Sequence, residues 1–194
     1  MKKVSGFTTI SLIIICAMFA IAGGYYALTR RPAAATEEST EGNSTVGELL
    51  SVNLTRNYPP SPKEVLKQYS EITKAFYNEE YSDEELVALA HKIQELYDRE
   101  LIENQTDEQY LRTLRSDIDN FKNNGITISS YATSASTDVD YFSEDGFQFA
   151  RLNCVYSIRQ GTQFGSIKEV FLMRKDDEGH WKIYGWDKLK EEEG

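Results

Sequence analysis

Two histidines are the residues of this sequence best suited to proton transfer near neutral pH, because the imidazole group titrates in that range. They are His91 and His180. His91 lies beside the apolar stripe of a predicted helix and next to Lys92, which is typical of a boundary residue at the margin of a core. His180 adjoins the turn at 178–179, where a side chain is expected to be exposed. Neither position predicts a general base.

Acidic and thiol side chains could supply metal ligands or nucleophiles, but their spacing favours neither role. Asp117 and Asp119 flank Ile118 on a predicted helix, so both carboxylates are expected to point away from the core. Cys154 is the one cysteine beyond the N-terminal segment, and a lone thiol with two distant histidines builds no convergent ligand set. The sequence carries no Gly-rich phosphate loop and no nucleophile elbow. We therefore predict no catalytic residue, no metal site and no cofactor.

Two polar residues, Arg151 and Asn153, lie on one face of a predicted strand together with Phe149 and Val155. They fit two interpretations. In the first they are ordinary half-exposed polar residues of a sheet. In the second they are part of an outer binding surface.

Four large aromatic residues, Phe147, Phe149, Tyr184 and Trp186, form a candidate interface on the second face of the predicted sheet. A sheet with one face in water shows a clean alternation of apolar and polar residues, and these strands do not. Four exposed aromatic side chains would also make an apolar patch larger than monomers usually leave in water. The pattern predicts that this face is covered by a second copy of the chain, by a partner protein, or by the apolar segment 49–54.

The N-terminal segment has the composition of a membrane anchor. No charged side chain occurs between Val4 and Thr29. As a helix, residues 7–29 would span about 35 Å, and a bilayer core is about 30 Å thick. The sequence therefore predicts a single transmembrane helix at 7–29, with residues 1–6 in the cytoplasm and the rest of the chain outside. The alternative is a cleaved signal peptide with a small-residue cleavage site at 20–22.

Composition divides the rest of the chain into a linker, a domain and a short tail. Residues 30–55 are predicted to be a flexible acidic linker, 56–190 a folded domain and 191–194 an acidic tail. The part after residue 31 holds all 31 acidic residues and 17 of the 21 basic ones, which gives it a formal charge of −14. Such a surface repels nucleic acid and anionic lipid headgroups. We therefore expect no nucleic-acid partner, and contact with the bilayer through 7–29 alone.

The secondary-structure pattern is three helices followed by strands. Each helix has a capping-box start signal, at Ser61, Ser82 and Thr106 respectively. After Gly125 the apolar period changes to two. The predicted strands are 126–135, 138–143, 147–159, 167–175 and 181–186. Helices first and strands after, with short turns between the strands, predict an α+β fold with an antiparallel meander.

This order of elements resembles the nuclear transport factor 2-like superfamily, in which helices close one side of a bent sheet and leave a conical pocket. The resemblance covers residues 58–190 and includes the terminal hairpin formed by 171–175 and 179–183. More narrowly, the segment 55–65 resembles the hallmark of an uncharacterised family of single-pass membrane proteins from Gram-positive anaerobes. The superfamily implies the cone-like fold and the family implies the location, but neither implies a chemistry.

Three classes of function remain open for the domain. The first is a binding, sensing or assembly module outside the membrane, without catalytic activity. The second is a scaffold, since the inner-membrane assembly component of type IV secretion channels also joins one N-terminal helix to a cone domain. The third is a small-molecule enzyme of isomerase or cyclase type, because cone enzymes place an Asp or His with a Tyr inside an apolar pocket. The apolar second face of the sheet favours the first two classes, whereas a desolvated carboxylate in a deep pocket would favour the third.

Overall fold

The computed structural model describes residues 45–189. The predicted transmembrane helix 7–29, the tail 1–6, the linker residues 30–44 and the acidic tail 191–194 lie outside the described residues. Within 45–189, no helix is long and apolar enough to cross a membrane.

In the described part of the chain, five helices precede the sheet. They are α1 (Val46–Ser51), α2 (Pro62–Asn78), α3 (Asp83–Gln94), α4 (Arg99–Glu103) and α5 (Asp107–Asn123). α2, α3 and α5 begin at the three caps that the sequence predicts, and the reciprocal capping box is complete at Ser82 and at Thr106. At Ser61 the hydroxyl accepts a hydrogen bond from the Glu64 amide at 3.3 Å. The Glu64 carboxylate pairs instead with Lys67 at 3.0 Å.

α1 is a short helix in the segment that composition assigned to the linker. Thr45 and Glu48 form a capping box at its start, in which the Thr45 amide donates to the Glu48 carboxylate at 2.9 Å. Val46, Leu49 and Leu54 are buried in the core. The folded domain therefore includes residues of the segment 45–55, because its apolar side chains pack against the helices that follow.

The five strands form one open antiparallel sheet, which confirms the predicted α+β class. They are β1 (Ile126–Thr133), β2 (Asp140–Glu144), β3 (Phe147–Gln160), β4 (Gln163–Lys175) and β5 (Trp181–Lys188). The strand order is β1-β3-β4-β5, and β2 also pairs with β3. The β3–β4 hairpin turns at Gly161, whose φ of 58° glycine adopts without strain. β4 consequently begins at Gln163 rather than at 167.

The helices cover one face of the sheet, which we call the inner face, and we call the opposite side the outer face. The inner residues of β3 are all buried: Ala150, Leu152, Cys154, Tyr156 and Ile158. α2 packs on this face against β1, β3 and β5. The core between the two layers is rich in aromatic rings, with the Tyr69 ring 5.2 Å from Phe171 and 6.2 Å from Tyr97. The β3 residues that alternate with these inner residues, among them Phe147 and Phe149, therefore lie on the outer face.

Candidate functional site: the outer face of the sheet

Three of the four predicted interface residues meet on the outer face. The register places Phe149 beside Phe142 of β2, and their rings stack at 5.4 Å. The Tyr184 ring of β5 lies 5.9 Å from the Phe149 ring. Phe147 stands at the start of β3 and is 46% exposed. We call Phe142, Phe147, Phe149 and Tyr184 the outer aromatic cluster.

Arg174 of β4 lies at the centre of this cluster. Its guanidinium carbon is 4.9 Å from the Phe147 ring centroid and 4.6 Å from the Tyr184 ring centroid. Its nitrogen atoms donate to both Asp98 oxygens, at 2.9 and 2.6 Å, and to the Glu100 carboxylate at 2.8 Å. Asp98 also caps α4 by accepting from the Glu100 amide. Arg174 therefore joins the helical layer to the outer face of the sheet.

Burial strengthens this network of ion pairs, because charge-assisted hydrogen bonds are stronger when water is excluded. The side chains of Arg174 and Asp98 are only 13% and 5% exposed. Burial acts to lower the pKa of Arg174, but its hydrogen bonds to Asp98 and Glu100 outweigh burial, and the pKa is raised. The hydrogen bond from Arg174 in turn lowers the pKa of the Glu100 carboxyl. Arg174 thus remains charged at neutral pH, and its guanidinium lies against the Phe147 and Tyr184 rings.

The two polar residues of β3 separate into different roles. The Arg151 guanidinium lies 5.1 Å from the Phe142 ring centroid and donates to Asp140 at 3.3 Å, which places it at the margin of the outer aromatic cluster. The Asn153 backbone amide donates to the Ser134 hydroxyl at 2.9 Å. The Asn153 backbone carbonyl accepts from the Ser134 backbone amide, also at 2.9 Å. Arg151 fits the interpretation as part of a surface patch, and Asn153 fits the interpretation as an ordinary strand residue.

Trp186 does not join the outer aromatic cluster. A bulge in the β4–β5 pairing makes Met173 the partner of Ile183 and Leu172 the partner of Gly185. The extra residue is Tyr184, which shifts the alternation of β5 by one position. Trp186 therefore faces inward and stacks on Phe171 at 5.8 Å. The prediction that grouped Trp186 with Tyr184 on one face is corrected for this reason.

A buried carboxylate, Glu169 of β4, lies on the inner face, and sequence reasoning missed it. It is 2% exposed, and the register sets it between Cys154 of β3 and Lys188 of β5. Burial raises its pKa to about 7, an effect that Lys188 opposes and Asp187 reinforces. The alternation of β4 could have revealed it. Residues two positions apart in a strand lie on the same face, and Glu169 precedes the inner residue Phe171 by two positions.

The polar groups of β3 next to Glu169 share a partner on α2. The Ser70 hydroxyl lies 2.9 Å from the Tyr156 hydroxyl and 3.6 Å from the Cys154 sulfur. Burial raises the pKa of Cys154 to about 11, although the hydrogen bonds with Ser70 and Tyr156 act in the opposite direction. The thiol therefore remains protonated at neutral pH, which makes it a packing residue and not a nucleophile.

Each of the two histidines contacts residues outside the outer aromatic cluster. The His91 ring is about half exposed and its Nε2 lies 3.1 Å from the Asp107 carboxylate. His180 is half-buried, because its ring stacks on Tyr58 at a centroid distance of 4.3 Å.

The two aspartates of α5 also have different positions. Asp119 is exposed, as predicted, but Asp117 is 5% exposed and lies on the buried side of the helix. The helical repeat explains the correction, since Asp117 is three residues after Leu114 and four before Phe121, and both of these face the core. Across residues 45–189, no group of three or more His, Cys, Asp and Glu side chains could hold a metal ion.

The fold and this site define a class in structural terms: an α+β domain whose leading helices cover one face of a five-stranded antiparallel sheet. The chain belongs to the family described as Domain of unknown function (DUF6715), which matches residues 1–186. No curated protein matches the chain. The family match includes the N-terminal segment predicted to be an anchor as well as nearly all of the folded domain.

Proposed function

We propose that the protein is a membrane-anchored, extracytoplasmic binding or assembly module that contacts its partner through the outer aromatic cluster. The observation that carries the proposal is the arrangement around Arg174, in which aromatic rings at the surface pack against the guanidinium of its buried ion pair with Asp98. Aromatic and arginine side chains contribute most of the binding energy in many protein interfaces. Rings that are already fixed lose little conformational entropy on binding.

The outer face has the dimensions of a standard interface. With a rise of about 3.3 Å per residue and strands about 4.8 Å apart, four strands of this sheet present on the order of 800 Å². That is roughly the area each partner buries in a stable complex. Arg151 and Asp140 give this face exposed charges of both signs, so two copies related by a two-fold axis can pair reciprocally. A second copy of the chain is therefore the proposed partner, and a different protein, as in a secretion-channel scaffold, is the alternative.

A small-molecule enzyme is the second candidate, because Glu169 is a desolvated carboxylate inside the domain. A cone enzyme needs space for a substrate beside such a group. Here aromatic rings pack against one another between the helices and the sheet, with Trp186 5.7 Å from Tyr69 and 5.9 Å from Tyr97. A substrate would have to displace these rings, so the geometry favours binding at the outer face.

Two resemblances belong to this proposal. The helical layer on one face of an antiparallel sheet supports the likeness to the nuclear transport factor 2-like cone. The segment 55–65 supports the likeness to single-pass proteins of Gram-positive anaerobes. Within it, the Tyr58 hydroxyl donates to the Trp181 carbonyl at 2.9 Å, which fixes the segment against β5.

We expect the full-length chain to fractionate with membranes and to stay there after a high-salt wash. Burying about 20 apolar residues of 7–29 in lipid is not reversed by screening charge. Immunodetection in membrane and supernatant fractions measures this. Recovery of a soluble form that begins near residue 23 would show cleavage and contradict a retained anchor.

We expect the chain from residue 32 onward to form concentration-dependent dimers. Substituting Phe142→Ser together with Phe149→Ser should weaken dimerisation at least about tenfold, because two aromatic anchors contribute more than about 1.4 kcal/mol. Sedimentation equilibrium gives the dissociation constants of the unsubstituted and substituted chains.

Tyr141→Ser is the matched control for this experiment. Tyr141 neighbours Phe142 on β2, is 56% exposed, and lies toward Trp181 on the other side of the sheet. Its loss should leave dimerisation unchanged. If the unsubstituted chain stays monomeric at high concentration, and the double substitution alters neither stability nor solubility, the outer face is not an interface between copies.

A further inference from the structure

Glu169 lies where the end of β5 meets the interior of the domain. The register sets it opposite Lys188, the last residue of β5, and Trp186 is the preceding inner residue of that strand. One residue further on, the Leu189 amide donates to the Lys168 carbonyl at 2.9 Å. Asp187, Lys188 and Leu189 are exposed. The buried Glu169 side chain is therefore adjacent to the exposed end of β5, which backbone hydrogen bonds pair with β4.

Among the described residues, six titratable groups on the elements packed against Glu169 interact with it electrostatically. They are Tyr69 and Tyr77 of α2, Cys154 and Tyr156 of β3, and Asp187 and Lys188 of β5. Burial raises the pKa of all four groups on α2 and β3, so they are neutral at pH 7. Lys188 is the one cation of the set, and it is on the exposed end of β5. The interior thus accommodates the neutral carboxyl group better than the carboxylate.

We propose that Glu169 is a proton-operated latch for the end of β5. When Glu169 is protonated, it remains in the interior and residues 187–189 stay paired with β4. When it is ionised, the cost of an isolated charge in that interior drives the carboxylate outward, toward water and the Lys188 ammonium. The end of β5 then separates from β4. The latch is independent of the outer aromatic cluster, so acidity controls the rim of the sheet whether or not that cluster binds a partner.

The pKa of Glu169 sets the direction of the effect. It is raised from 4.5 to about 7 by burial in the closed sheet. The stabilisation from the buried, protonated group is therefore fully present below pH 4.5 and is lost as the pH rises through about 7. Between pH 4.5 and about 7, the equilibrium constant for opening should rise about tenfold per pH unit. At higher pH this constant should no longer change.

Amide hydrogen exchange of the full-length chain in detergent micelles tests the latch. The opening constant obtained from the Leu189 amide, corrected for intrinsic exchange, should follow that pH profile. In the isosteric variant Glu169→Gln it should be independent of pH. A Leu189 opening constant that does not change with pH in the unsubstituted chain would overturn the proposal.

Trp186 fluorescence in a Trp181→Phe background gives a second, optical measurement. The signal should titrate with a midpoint near pH 7, and Glu169→Gln should abolish the titration. Lys188→Met should move the midpoint upward and Asp187→Asn should move it downward, because the two charges act on Glu169 in opposite directions. A titration retained in Glu169→Gln would belong to other groups, such as the histidines, and would also overturn the proposal.

Discussion

A chain that begins at residue 56 is expected to lose about 5 kcal/mol of unfolding free energy relative to a chain that begins at Thr45. The shorter chain lacks Val46, Leu49 and Leu54, which are 7%, 3% and 2% exposed in the folded domain. Burying each such side chain contributes about 1.5–3 kcal/mol. It also lacks the Val52 carbonyl, which accepts from the Lys92 ammonium at 2.8 Å. Since whole domains are stable by only about 5–15 kcal/mol, the shorter chain should be largely unfolded or close to it.

Urea denaturation followed by circular dichroism compares the two chains. Within the longer one, Leu54→Ala should cost about 2–5 kcal/mol. Leu50→Ala is the matched control and should cost clearly less, because Leu50 is only partly buried. Equal unfolding midpoints for the chains that begin at 45 and 56 would mean that α1 adds nothing to the stability of the core.

Local interactions account for what the sequence predicts well. The starts of α2, α3 and α5 depend on a cap side chain and an amide three residues later, so they need no tertiary contact. α1 carries the same signal, since Thr45 and Glu48 form a capping box. The pattern nevertheless predicts a linker here, because six residues are too few to show a helical period and the surrounding stretch is polar and acidic.

Long-range contacts account for what sequence reasoning missed. The bulge that turns Trp186 inward is a property of the β4–β5 pairing, and Gly185 is the one local hint of it. The burial of Glu169 depends on α2 packing across the inner face. The contact between Arg174 and Asp98 joins residues 76 positions apart. No pattern within one element specifies such a pair, so the outer aromatic cluster could be predicted in part but the ion pair at its centre could not.

Replacing Arg174 with methionine is expected to destabilise the domain by about 3–5 kcal/mol. The substitution removes one partner of a buried ion pair and leaves the Asp98 carboxylate in a site where it is 5% exposed. It also removes the cation that lies between the Phe147 and Tyr184 rings. Urea denaturation of Arg174→Met against the unsubstituted chain measures the loss.

Arg151→Met is the matched control, because Arg151 has the same chemistry on the same face but pairs with Asp140 where both side chains are more than half exposed. It should cost no more than about 1 kcal/mol. In the Arg174→Met background, Asp98→Asn should restore about 1–3 kcal/mol, since asparagine can still cap α4 but brings no buried charge. If Arg174→Met is no more destabilising than Arg151→Met, or if Asp98→Asn restores nothing, then the buried charge of Asp98 is not what Arg174 compensates. In that case the rings of the outer aromatic cluster would have to be held by sheet packing alone.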